Sequence, residues 1–319
     1  MIDVCLCTHE PAQKVLKKVL AALQSQTLPR DQFNLLVIDN ASSPALHAGM
    51  PLFAPLISAG YKLKFIRETQ LGISHARIAA LSASRSEALI FVDDDNILHS
   101  NFLENAMKIL RRYPEVGCFS GKIKLVAETK IPGWILELSS SVAARDQGEK
   151  QKIAWFRGKW APWVPACGAG MVLRKEVARL ALAKYATSAS FHTFGRKGKN
   201  GLLAGEDFLI ALCAAEAGFK CGYFPALQMD HFLHGERLNL HYFTKLMRGF
   251  AKSDLLRERF LAKKPKAMPL AELGHRLLAK DYAGKDARAR FCHWIYQVEY
   301  AKGKLMGRLA GSASRAGLQ

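Results

Sequence analysis

Three consecutive carboxylates, Asp93-Asp94-Asp95, end an apolar run and lead into Asn96. Like charges repel, so an exposed loop of this kind gains from a bound cation. Oxygen ligands favour Mg²⁺ or Mn²⁺, ions that bridge readily to phosphate oxygens. The same run also suits an acidic helix N-terminus, where aspartates cap and complement the macrodipole. Thr8-His9-Glu10 and Asp39 follow other apolar runs and have the side chains to read a nucleobase and ribose through hydrogen bonds. Asp39 beside Asn40 equally fits an Asx turn. In Gly72-Ile73-Ser74-His75-Ala76-Arg77 the guanidinium fork of Arg77 could meet a diphosphate, or it could be a surface arginine on a helix.

These residues fall where strands should end. Residues 2–7, 33–38, 63–67 and 88–92 read as short buried strands. Between them, residues 13–26, 73–84 and 101–113 place apolar side chains at helical spacing, and Pro114 stops the last. Strands alternating with helices to about residue 120 predict a parallel α/β sheet with helices on its faces. Ligands of such sheets bind where strand C-termini open into loops, which is where Thr8, Glu10, Asp39 and Asp93 to Asp95 cluster. Residues 127–165 look irregular and hold Trp134, Trp155, Trp160 and Trp163. Those rings suit either a platform for sugar rings or ordinary core packing. Residues 167–174 predict a tight glycine loop entering a strand, and Gly205-Glu206-Asp207 opens a helix that ends near Gly218. Residues 221–224 return as a strand, Leu240–Leu261 forms a long basic amphipathic helix, and residues 270–280 and 291–305 predict two more helices.

Taken together, Cys7-Thr8, Val37-Ile38-Asp39-Asn40, Gly72-x-x-x-Ala76-Arg77, Val92-Asp93-Asp94-Asp95, Gly168-x-Gly170-Met171 and Gly205-Glu206-Asp207 run in one order. Phe224-Pro225, His231, Arg237-Leu238 and Arg248-Gly249 continue it. This series resembles the family 2 glycosyltransferases of the GT-A fold over about residues 2–255. The resemblance implies an α/β fold of GT-A type, with a Rossmann-like nucleotide-binding sheet, helices on both faces and a basic helical C-terminal extension. It implies single-sugar transfer from a nucleoside-diphosphate sugar, UDP by family habit, with inversion at the anomeric carbon. Thr8, Glu10 and Asp39 match positions that hold the base and ribose, and Asp93 and Asp94 belong to the acidic donor motif. Asp95, with Asp93 and His231, matches the family's site for Mn²⁺ or Mg²⁺, and His234 competes with His231. Glu206-Asp207 matches the acidic pair on the acceptor side, with Asp207 as general base; a carboxylate at a helix N-terminus is well placed to take a hydroxyl proton. Ile78 stands where many relatives carry asparagine, which puts one donor contact in doubt. No Gln-x-x-Arg-Trp pattern of the processive members occurs.

Composition sets the remaining bounds. A chain of 319 residues, half apolar, is long enough for one large or two small domains with a sizeable core. The organisation expected is a GT-A domain over residues 1–240, with donor half 1–125 and acceptor half 126–240, followed by a basic helical region over 241–319. That last region holds 17 Lys/Arg against 6 Asp/Glu, a net +11 of the chain's +19. Such a surplus suits an anionic surface, here a membrane leaflet met by the 240–261 helix, or a merely solvated face. The acceptor expected is a carbohydrate, glycolipid or lipid-linked sugar of the cell envelope. Seven scattered cysteines with no C-x-x-C pair fit reduced thiols in the cytoplasm. Neither a charged leader with an apolar stretch nor an 18-residue apolar window is seen. A nucleotidyltransferase or dinucleotide enzyme is disfavoured, because the loop after the first strand is acidic and free of glycine. A basic nucleic-acid-binding protein matches the charge but shows none of the usual motifs, so no nucleic acid is expected. A non-catalytic nucleotide-binding protein is the other alternative.

Overall fold

The computed structural model describes residues 1–158, 164, 166–197, 201–261 and 286–316. Its centre is a nine-stranded sheet in the order β3-β2-β1-β4-β8-β6-β11-β5, with β7 also paired to β11. The first four strands in space are β1 (Ile2–Thr8), β2 (Phe33–Asn40), β3 (Leu63–Glu68) and β4 (Ala88–Asp93), all parallel. The two halves of the sheet then part company. β8 (Val172–Arg174) runs antiparallel to both β4 and β6 (Val116–Val126). β11 (Lys220–Phe232) is parallel to β6, while β5 (Asn96–Leu98) and β7 (Lys152–Ala154) run antiparallel to it. The parallel sheet expected from the sequence is therefore parallel only in its first half and mixed beyond β4. A two-stranded hairpin, β9 (Arg196–Lys197) with β10 (Gly201–Leu202), lies apart.

Strand alternation explains the two cores. On β4, Ala88, Ile90 and Val92 face one cluster, with Leu16, Val19 and Leu23 of α1 (Gln13–Gln24) and Phe102, Leu103 and Ala106 of α4 (Phe102–Arg112). Leu89 and Phe91 face the other, with α3 (Ile73–Ala83), α6 (Lys175–Tyr185) and α7 (Glu206–Glu216). Period-two side chains buried on both faces give the continuous apolar runs that mark interior parallel strands. Two short helices, α2 (Ala54–Ser58) and α5 (Gly133–Glu137), complete the body.

The basic C-terminal region joins this body. α8 (Leu240–Leu261) buries Phe243, Leu246, Met247 and Ala251, and α9 (Ala287–Ala316) packs along it. Their third core takes in Trp134 and Ile135 of α5 and Leu233. The apolar face of α8 is thus covered by protein, and it is not free to lie in a bilayer as the sequence reading had it. Trp134 meets Phe243 edge-to-face at 5.1 Å, so this ring serves core packing rather than a sugar platform. Trp155 is exposed on the surface. Trp160, Trp163 and the predicted helix over 270–280 lie outside the described residues. All seven cysteines are unbridged, six of them buried. Among the described residues, no helix is long and apolar enough to cross a membrane.

Candidate active site

The acidic loop takes its shape from β1 and β4. Their parallel register sets Cys7 beside Asp93 and brings the Thr8 hydroxyl to Asp94, to which it donates a hydrogen bond. Asn96 folds the turn: its Oδ1 accepts from the Asp93 N–H at 3.0 Å and its Nδ2 donates to Asp95 Oδ1 at 3.0 Å. β5 then pairs Asn96 with His231 on β11, and Phe232 N–H donates to the Asp95 carbonyl at 2.8 Å. This long-range pairing carries His231 to the carboxylates. The strand expected over residues 221–224 is longer than its apolar run. The strand absorbs the proline in a register shift between Tyr223 and Gln228 and continues to Phe232.

Two arginines and a histidine approach the outer two carboxylates, while Asp94 is met by Thr8. Asp95 Oδ2 lies 3.3 Å from His231 Nε2 and 3.1 Å from Arg237 Nη1. Burial alone would raise the Asp95 carboxyl, but His231 and Arg237 hold it well below the usual range. Burial pushes Asp94 up to about 7, with the neighbouring Asp95 charge adding to it. Asp93 is also raised by burial, against the pull of Arg77.

Arg77 is almost wholly buried. Its Nη2 lies 3.4 Å from Asp93 Oδ1, its Nε 3.5 Å from Glu206 Oε1, and its Nη1 donates to the Gly168 carbonyl at 3.1 Å. The guanidinium also sits over the Phe91 ring at 4.6 Å. Burial would lower its pKa, but Asp93 and Glu206 raise it above the ordinary value. The fork expected on a diphosphate is instead engaged inside the protein, joining Asp93 of the acidic triplet to Glu206 of the second acidic pair. Gly168 is required there, since a Cβ would come within 2.7 Å of Arg77 Nη2.

Gly205, at φ +122°, turns the chain into α7. The turn presents Glu206 and Asp207 at the helix N-terminus, where N–H groups and the dipole favour carboxylates. Asp207 accepts from Gly168 N–H at 3.0 Å and from Phe208 N–H at 2.8 Å. Burial, then the Asp207 charge, pushes Glu206 up to about 7.

A cleft of about 1360 Å³ runs past both acidic groups. Single small-molecule sites hold about 300–1,000 Å³, so this one has room for a donor and an acceptor together. Its walls include Thr8, Glu10, Asp93 to Asp95, Arg77, Glu206, Asp207 and His231. Asp39 is not among them. Its carboxylate accepts from Ser42 and Leu46 N–H at 3.2 and 3.1 Å and pairs with Arg67, so it anchors the loop after β2 through bonds three and seven residues on rather than an Asx turn. Its neighbour Asn40 lines the cleft instead. His75 stacks on His192 at 3.9 Å, away from the cleft wall. His234 does reach the cleft, packing edge-on against Phe232 at 5.4 Å, but it is His231 that faces Asp95. Arg237 stands in the motif series without a role, and its only signal in the sequence is its place six residues past His231 in a polar stretch.

The donor set suits a hard divalent cation in part. Among the described residues no group of three or more His, Cys, Asp or Glu is placed to hold a metal. Asp95 and His231 make a pair, and an octahedral ion commonly takes its remaining ligands from substrate phosphates and water. His231 Nδ1 lies 2.7 Å from the Val142 carbonyl, which only accepts, so Nδ1 carries a proton and Nε2 is the nitrogen turned to Asp95. Asp93, expected as a further ligand, is turned toward Arg77.

A mixed α/β sheet with acidic residues gathered at its strand ends, and a second acidic pair across a wide cleft, defines a GT-A type transferase architecture. Residues 3–161 match the model of glycosyl transferase family 2. The chain belongs to that family and is a glycosyltransferase. Among solved structures, S. aureus TarS 1–349 in complex with UDP-GlcNAc is 15% identical with a TM-score of 0.50, covering 97% of this chain and 92% of that one. The same fragment in complex with UDP is 14% identical, with a TM-score of 0.49 and the same coverage. No curated protein matches the chain.

Proposed function

We propose that the protein moves one sugar from a nucleoside-diphosphate sugar, UDP-linked in the first instance, to an acceptor hydroxyl with inversion, in cell-envelope polysaccharide or glycolipid synthesis. The observation that carries this is a single cleft lined both by the Asp95–His231–Arg237 cluster and by Asp207 on α7. Asp207 accepts the hydroxyl proton as the acceptor oxygen bonds to the anomeric carbon. The bond from that carbon to the diphosphate breaks in the same displacement, so the configuration inverts. The N–H groups of Gly168 and Phe208 orient Asp207, and Arg77 holds Glu206 and Asp93 in place around it. Thr8, Glu10 and Asp94 lie where a nucleoside would be read. Asp95 and His231 would hold Mn²⁺ or Mg²⁺, which neutralises charge on a departing diphosphate. Arg237, on the same Asp95 oxygen, adds a fixed positive charge. UDP is put first because the TarS 1–349 structure of similar fold holds UDP-GlcNAc.

The test is thermal stabilisation by UDP, GDP and dTDP, each with and without Mn²⁺, on wild type, Asp95→Ala and Asp207→Asn. Ligand that binds only the folded state raises the melting temperature. One nucleotide should stabilise wild type in a metal-dependent way and fail with Asp95→Ala. Asp207→Asn should keep the shift while losing transfer about 10²–10⁴-fold. No shift with any nucleotide sinks the reading.

For location, we place the protein in the cytoplasm at the inner face of the membrane, docked through α9 rather than α8. Phe291 and Trp294 are exposed on α9, within a region of net +11, and aromatic rings beside basic residues suit an anionic interface. Replacing both by serine should abolish co-sedimentation with anionic vesicles at low salt. Unchanged binding would remove the apolar part of that reading.

A further inference from the structure

Tyr242 stands in the first turn of α8, where the Asn239 side chain accepts from its N–H at 2.9 Å and fixes the start of the helix. The next residue, Phe243, is fully buried against Trp134 and anchors that turn. The Tyr242 ring packs on the same core, and its hydroxyl oxygen is buried with no hydrogen-bond partner among the described residues. Buried hydroxyls are almost always paired, so an orphan of this kind calls for a partner from outside the chain.

Its surroundings say which kind. Tyr242 lines the cleft with Asp94, Asp95, His231 and Arg237, and Arg237 lies within electrostatic reach of the Tyr242 oxygen. Asp95 is already met by His231, Arg237 and Asn96, and Asp94 by Thr8. The Tyr242 hydroxyl and the Arg237 guanidinium line the same cleft within electrostatic reach of each other, and two neighbouring donors, one of them charged, match a phosphate oxygen. A mere structural tyrosine would have its oxygen satisfied within the fold.

We propose that the Tyr242 hydroxyl donates a hydrogen bond to the distal phosphate of the nucleotide donor, which makes α8 part of the donor site. This rests on the proposed donor reading and extends it to a residue of the C-terminal region. Tyr242 would hold the diphosphate as it leaves and take no proton itself.

The experiment compares Tyr242→Phe with wild type in the full chain, measuring thermal stability without nucleotide and affinity for UDP and UMP by titration calorimetry. Loss of an orphan hydroxyl should leave the nucleotide-free melting temperature unchanged or higher. UDP affinity should fall about tenfold to a hundredfold, the scale of a hydrogen bond to a charged group, while UMP affinity stays the same. A lower melting temperature without nucleotide means that the hydroxyl has a partner in the fold, and overturns the proposal. So does UDP affinity within about twofold of wild type, or an equal loss for UMP and UDP. If wild type itself binds neither UDP nor any other nucleoside diphosphate, the donor reading has failed, and this inference falls with it.

Discussion

The two acidic groups of the cleft are built in different ways. Asp93 to Asp95 at the end of β4 have arginines on two sides, Arg77 at Asp93 and Arg237 at Asp95, with the His231 ring also facing Asp95. At the start of α7, Glu206 pairs with Arg77, which it shares with Asp93, and Asp207 is held by backbone N–H groups at the helix N-terminus. The charge state follows the arrangement. Asp95 is held firmly anionic, as a cation-binding group needs to be. Glu206, buried beside Asp207, keeps its proton up to about pH 7. The same functional group, a carboxylate, thus takes opposite charge behaviour in two places because its neighbours differ.

Arg77 is the shared part, so removing it should disturb both groups most. Arg77→Met keeps the length and leaves Asp93 and Glu206 buried without their cation. We expect a loss of about 3–5 kcal/mol in urea denaturation at pH 7. A loss below about 1 kcal/mol would mean that the two groups are independent of it.

Glu206→Gln sharpens the comparison through pH. Burial, then Asp207, raises the folded-state pKa from 4.5 to about 7. Between those values the folded protein binds more protons than the unfolded chain, so this group's contribution to stability falls as pH rises. The loss is on the order of 3 kcal/mol across the window. A glutamine cannot ionise, so the variant should gain on wild type from about pH 4.5 to about pH 7 and level off above that. Parallel stability curves over that range would show that Glu206 is not the protonated member.

Gly168→Ala should have the smallest effect of the three. The added methyl presses on Arg77, and we expect about 1–3 kcal/mol of destabilisation. Transfer should fall further than stability, because Gly168 N–H also orients Asp207. Equal loss in both would reduce Gly168 to a packing residue.

Much of the donor half was legible in the sequence. The runs at residues 2–7, 33–38, 63–67 and 88–92 became β1 to β4 with small changes at their ends, because buried parallel strands are apolar on both faces and leave a continuous signal. The acidic triplet, Thr8 and the Glu206-Asp207 pair were also visible, each at the end or start of a regular element. β6 went unread, and β11 was cut short at Pro225. The middle of the chain, read as irregular, holds α5, whose short turn leaves little periodicity. The amphipathic pattern of α8 was seen correctly, but an apolar stripe looks the same whether a membrane or a protein core covers it.

The sequence alone determined β1 to β4 with the helices between them and the chemical types available at their ends, since these follow from local periodicity and from motifs read in line. Only the tertiary structure decided which charges meet. Arg77 lies 129 residues from Glu206 and Arg237 lies 142 from Asp95, and nothing local specifies either pair. Burial, which sets the protonation of Asp95 and Glu206, likewise exists only once β11 and α7 have closed around them.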